Sequence, residues 1–139
     1  MPTGHLTDNV TSKDSFKWNE SADSNRYRVL KVDASNQVTY ADANTDIPVG
    51  ISYEDDISTG EPIPTAVGPG ERVYLTASAA IPSDGATYPF VEATTDGKVK
   101  AFVVGVNHYS PAILLEPATT ADQILVGILL PAGTAPNLA

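Results

Sequence analysis

Hydrophobic and polar positions alternate in short runs along most of this chain, and turn residues separate the runs. The most apolar stretch lies near the end, where Ala112–Leu115 and Ile124–Leu130 flank the polar break Glu116–Gln123 with its Pro117. In the second run Ile124, Val126, Ile128 and Leu130 share one face, while Leu125 and Leu129 share the other with Gly127. A branched, apolar run of this length, stopped by Pro131, predicts a central strand buried on both faces and closing a hairpin rather than a two-turn helix.

The upstream runs are weaker. Arg26–Val32 precedes the turn Asp33-Ala34-Ser35-Asn36-Gln37, and Val38–Tyr40 precedes Asp42-Ala43-Asn44-Thr45-Asp46. Ile47, Val49, Ile51 and Tyr53 alternate with Pro48, Gly50 and Ser52, the pattern of a strand with one face inward; Pro48 puts its start at an edge or at the first strand position. Pro62–Val67 leads into Gly68-Pro69-Gly70-Glu71, which suits a type II turn, and Arg72–Ala77 returns from it with Val73, Leu75 and Ala77 on one face. Tyr88–Ala93, Thr94-Thr95-Asp96-Gly97 and Lys98–Val104 read as a hairpin around Asp-Gly, with Val99, Ala101 and Val103 on one face. Turns roughly every ten residues and no long helical pattern predict an all-β fold, a small sandwich or barrel-like domain of short antiparallel strands.

Residues 1–25 break this rhythm. Thr, Ser, Asn, Asp and Lys dominate, and few apolar side chains accompany Leu6, Val10, Phe16 and Trp18. Such a segment buries too little surface to offset its own ordering, which predicts an extended N-terminal arm (1–25) on a single β domain (26–139). Phe16 and Trp18, two apart, point the same way from an extended backbone. They either pack onto the domain's own sheet or anchor the arm to a partner.

Charge sharpens the division. Of 139 residues, 17 are acidic and 8 basic, for a net charge of -9. Five of the basic residues (Lys13, Lys17, Arg26, Arg28, Lys31) lie in the first 31 residues beside four acids, so the rest is strongly acidic. That balance argues against direct nucleic-acid binding, which needs clustered Lys and Arg. No run has the length of a membrane span and no secretory signal pattern is present, so a protein soluble where it is made is expected. The chain has no cysteine, which excludes disulfides and a thiol nucleophile.

Candidate chemistry is sparse. His5 and His108 have no close ligand partner of the kind a zinc site uses. Asp42–Asp46 begins like a calcium loop, but Ile47 stands where that loop needs Gly and Tyr53 where it needs Glu. Glu54-Asp55-Asp56 reads as a solvated bend, and the Asn-x-Ser/Thr triplets at Asn9 and Asn19 as chance matches. No phosphate loop, nucleophile elbow or His-Glu-x-x-His is present, so catalytic residues, cofactor and metal are all expected to be none; paired carboxylates of a small hydrolase are the remaining enzymatic option.

Taken in order, Tyr27-Arg28-Val29-Leu30-Lys31-Val32, Pro48-Val49-Gly50-Ile51, Gly70-Glu71-Arg72-Val73, Ala80-Ile81-Pro82-Ser83-Asp84-Gly85, Thr95-Asp96-Gly97-Lys98-Val99 and the Ala112–Leu130 hairpin resemble tailed-bacteriophage capsid decoration (cement) proteins. Pro117, the loop Val106–Ser110 and the long leader depart from that pattern. The resemblance implies a compact β domain, β-tulip-like, on the outer surface of the phage head. There it bridges major capsid protein subunits as a homotrimer at three-fold or quasi-three-fold positions and stabilises the shell against internal DNA pressure, without catalysis. Lys13, Phe16, Lys17 and Trp18 are then the candidate capsid contacts. The other readings are a virion-surface glycan-binding module and a tail- or fibre-associated structural module.

Overall fold

The computed structural model describes residues 13–20 and 26–138. Ten short strands run in chain order: β1 (Lys13–Lys17), β2 (Val29–Val32), β3 (Val38–Tyr40), β4 (Gly50–Ser52), β5 (Pro62–Ala66), β6 (Arg72–Thr76), β7 (Val91–Ala93), β8 (Val99–Ala101), β9 (Ala112–Leu114) and β10 (Ile124–Leu129). A single 3-10 turn, Thr95–Gly97, is the one helical element among the described residues. The strands form a five-stranded sheet in the order β1-β5-β4-β2-β3, a three-stranded sheet β6-β10-β9, and the hairpin β7-β8, all paired antiparallel. The fold is all-β, a small sandwich.

The main core lies between the two larger sheets. Val29, Ile51 and Ala66 from one meet Val73, Leu75, Leu125 and Leu129 from the other, with Val91, Val99 and Leu114 closing one side. A second core of Trp18, Leu30, Val38, Tyr40 and Ile63 lies on the opposite face of the five-stranded sheet. Val29 and Leu30 are adjacent and serve different cores, as strand alternation requires.

The five-stranded sheet closes on itself. Its edge strands β1 and β3 are joined by a parallel bridge between Trp18 and Val38, with the Asn19 amide donating to the Val38 carbonyl at 2.9 Å. Trp18 is also held across the chain by its amide to Glu61 O (2.9 Å) and by Gly60 N to its carbonyl (2.7 Å). Asn19 Nδ2 donates to Asp33 Oδ2, and Thr39 Oγ1 to Glu20 Oε2. Residues 13–20 are therefore a strand and closing bridge of the domain rather than a free arm, and the expected boundary at residue 25 does not describe them. Residues 1–12 and 21–25 lie outside the described residues.

Several local expectations hold. β3 spans the predicted Val38–Tyr40, and the Asp96-Gly97 pair turns the β7–β8 hairpin with φ of 58° and 71°. Gly70 has φ 86° and the Glu71 amide reaches Gly68 O at 3.1 Å, as a type II turn demands. That turn connects the two sheets and does not form a hairpin, since β5 and β6 belong to different sheets.

Three expectations are corrected. β10 is central in its sheet, but only Leu125, Gly127 and Leu129 face the core; Ile124 is exposed, and Val126, Ile128 and Leu130 are half-buried because no second layer covers that face among the described residues. Ile47 does not begin an inward-facing strand: it is exposed, and regular pairing starts only at Gly50, after Pro48. Val103 does not share the face of Val99, because β8 ends at Ala101 and the chain then turns outward.

Candidate functional site

The strand alternation expected for Phe16 and Trp18 is present, and it aims both rings inward. Trp18 is fully buried, its ring 4.9 Å from Tyr40 in an edge-on contact, and Phe16 packs at the margin of the same core. Lys17, between them, is exposed. The Lys13 side chain lies outside the described residues. Of the four candidate contacts, the structure thus presents Lys17 at the surface, part of Phe16, and none of Trp18.

The rejected motifs take ordinary structural roles. Asp46 Oδ2 accepts from the amides of Asp42 (2.9 Å) and Ala43 (3.2 Å) and pairs with Lys31 Nζ at 3.1 Å, which makes Asp42–Asp46 a side-chain-closed turn. Asp55, in the acidic bend, pairs with Arg26 at 3.2 Å. Among the described residues no group of three or more His, Asp or Glu side chains is placed to hold a metal ion. His5 and Asn9 lie outside them.

Three surface features emerge only from the fold. The first is the outer face of the three-stranded sheet, where β10 pairs Val126 with Tyr74 and Ile128 with both Arg72 and Ile113, and where Ile124 and Leu115 are nearly half exposed. Tyr27 extends this face by an edge-on contact with Tyr74 at 5.2 Å. A one-layer covering of β10 is the reason this apolar face stays open.

The second is a polar cleft of about 410 Å³ lined by Arg26, Tyr27, Arg28, Asp55, Thr76, Lys98, Asp122 and Ile124. Its cations are engaged: Arg26 by Asp55, Lys98 by Asp122 at 2.7 Å, and Arg28 by the Asp96 carbonyl at 3.0 Å. The Lys98 hydrogen bond and charge hold the Asp122 carboxyl below the ordinary carboxylate range. The third is the loop Val103–His108, which carries three exposed valines and rests on the buried Glu92.

No family model matches the chain, and no curated protein matches it. Among solved structures it is similar to the crystal structure of the head fiber gp8.5 N base in bacteriophage phi29, with a TM-score of 0.63 and 16% identity over 90% of this chain and 98% of that one. Over nine-tenths of its length the chain thus shares the fold of that structure.

Proposed function

We propose that this protein is a structural component of a tailed-phage head, a capsid decoration (cement) protein that sits on the outer surface of the shell. It bridges neighbouring major capsid protein subunits and so opposes the pressure of packaged DNA. The observation that carries this reading is the end-to-end likeness to a phage head fiber base, which leaves little of either chain unmatched. The order of sequence motifs from Tyr27 to Leu130 supports it independently.

The mechanical role follows from geometry rather than chemistry. A bridging domain adds its own contacts to those that must break before two shell subunits separate, and several modest contacts on one rigid body act together through effective concentration. A homotrimer at three-fold or quasi-three-fold positions supplies that multiplicity. The open apolar face of β6-β10-β9 is the surface we assign to trimer contacts, and the exposed Lys17 supplies charge toward the shell.

Electron microscopy of heads made with and without this protein tests the reading. Regular knobs at three-fold or quasi-three-fold positions, present only when the protein is supplied, are the expected result; identical bare shells in both preparations would overturn it. Because Trp18 closes the sheet, the leader should be probed by deleting residues 2–12, which leaves β1 intact.

A further inference from the structure

Glu92 on β7 stands directly across the hairpin from Lys100 on β8, and its side chain is only 1% exposed. The acids of the ion pairs Arg26–Asp55, Lys31–Asp46 and Lys98–Asp122 are by contrast 33%, 22% and 70% exposed. Burying a carboxylate is costly unless its oxygens are filled. Here they are filled by nitrogens from three separate segments.

Oε1 accepts the Val103 amide at 2.7 Å, which fixes the carboxylate. Oε2 takes two nitrogens, the side-chain Nδ2 of Asn44 at 3.1 Å and Nζ of Lys100 at 3.6 Å. A primary amine, a primary amide and a buried carboxylate thus converge on one oxygen. The Asn44 backbone is held as well, its carbonyl accepting the Tyr109 amide at 2.8 Å. His108 Nδ1 stands 3.3 Å from Asn44 Nδ2 and 2.7 Å from the Val103 carbonyl. A carbonyl oxygen can only accept, so Nδ1 carries a proton and donates to it, which leaves the Asn44 amide hydrogen to Glu92.

We propose that Lys100 and Asn44 join in an intramolecular isopeptide bond, with Glu92 as the proton carrier. Lys100 Nζ passes one proton to Glu92 Oε2, and the freed amine attacks Asn44 Cγ, the carbon bonded to the Nδ2 that the same oxygen holds. The Nζ–Cγ bond forms and the Cγ–Nδ2 bond breaks. Of the three hydrogens on the lysine ammonium, one stays on the new amide and two leave with Nδ2 as an ammonium ion; Glu92 relays the first of these and ends as the carboxylate it began as. Nothing is oxidised or reduced, and no co-reactant is consumed. The half-exposed Lys100 side chain leaves the ammonium a path to solvent. A bond made once per molecule needs no turnover, so holding both groups on one carboxylate supplies through proximity what a stronger nucleophile would supply through reactivity. The link ties the 42–46 turn, which follows β3 of the five-stranded sheet, to the separate hairpin β7-β8. It stands on this cluster alone and is independent of the head assignment.

Intact mass spectrometry of the full chain, purified at neutral pH, tests the bond. The wild type is expected about 17 Da below its sequence mass, the loss of one ammonia, and the Lys100→Arg and Glu92→Gln variants at their full masses. Trypsin should then leave Lys100 uncut and release residues 32–72 and 99–139 as one branched peptide. A wild type at its full sequence mass overturns the proposal. So does a loss that persists in Lys100→Arg, or a light wild type whose two peptides separate, because an asparagine that cyclises on its own backbone sheds the same ammonia without engaging lysine. A Glu92→Gln variant that forms the branched peptide as fully as the wild type refutes the proton carrier. Where a variant does not fold, the wild-type mass and its peptide map decide the matter by themselves.

Discussion

Replacing Trp18 tests whether the closure of the five-stranded sheet is part of the stable fold. The ring is fully buried against Tyr40 in the core that also holds Leu30, Val38 and Ile63. Truncating such a ring to alanine costs about 3–5 kcal/mol through lost burial and the cavity left behind. One term acts in the opposite direction: indole Nε1 is buried with no hydrogen-bond partner, and such a donor costs about 1–3 kcal/mol. Trp18→Phe removes that donor and sacrifices roughly 40 Å² of apolar contact, about 1 kcal/mol at 25 cal/mol per Å².

The two variants should therefore separate widely. Trp18→Ala is expected to lose about 3 kcal/mol, whereas Trp18→Phe should lie within about 1 kcal/mol of the wild type on either side. Trp18 is the single tryptophan, so the variants are followed in urea by far-ultraviolet circular dichroism or by the emission of the 6 tyrosines. A loss below about 1 kcal/mol for Trp18→Ala would mean that β1 and the Trp18–Val38 bridge contribute little to the folded domain in solution. Equal, large losses for both variants would refute the orphaned-donor argument, since only a useful N–H contact makes phenylalanine as poor as alanine.

Other outcomes follow from close contacts, titration and the open face. Gly50→Ala should abolish or severely weaken folding, because its Cβ would sit 2.3 Å from the Ala66 carbonyl oxygen in the paired strand; Gly85→Ala, whose nearest neighbour is Pro82 O at 3.3 Å, should melt close to the wild type. Asp33 accepts the amides of Ser35 (2.8 Å) and Gln37 (3.1 Å), chiefly the first, which holds its carboxyl below the usual range. A depressed carboxyl stabilises the fold above its unfolded value near pH 4 and loses that contribution as pH falls through the folded value, so urea midpoints of Asp33→Asn should fall less between pH 5 and pH 2 than those of the wild type. If this face makes the proposed homotrimer, Leu115→Glu/Ile124→Glu should leave the fold intact and abolish that association in sedimentation; an association that persists would move the interface to another face.

Much of the fold was legible because it is written in local turn chemistry. Asp96-Gly97 and Gly70 carry the positive φ their turns require, and the Ala112–Leu130 run pairs as a hairpin with β10 in the centre of its sheet. What could not be read locally is what each face meets. Ile124, Val126 and Ile128 are as apolar as Leu125 and Leu129, and only the number of layers above β10 decides which set is exposed. The fate of the leader depends on partners far along the chain: β1 pairs with β5 about fifty residues later and touches Val38 on the opposite edge. Glu92 is one of 17 acids in the sequence, and nothing in its neighbours marks it; the loops that bury it return from residues 44 and 103. By strand alternation a carboxylate between Val91 and Ala93 reads as outward-facing, so its burial could be found only in the folded chain.

The alternation in β1 separates two roles that the sequence joins. Phe16 and Trp18 face the core, so the residue between them, Lys17, must face out. If the leader meets an acidic shell surface, Lys17→Glu should reduce head binding, and increasingly so as salt is lowered, because exposed charges are screened within a Debye length. The same change should move stability by no more than about 0.5 kcal/mol. Trp18→Phe should do neither. A Lys17→Glu variant that binds heads like the wild type at low salt removes Lys17 from the attachment surface.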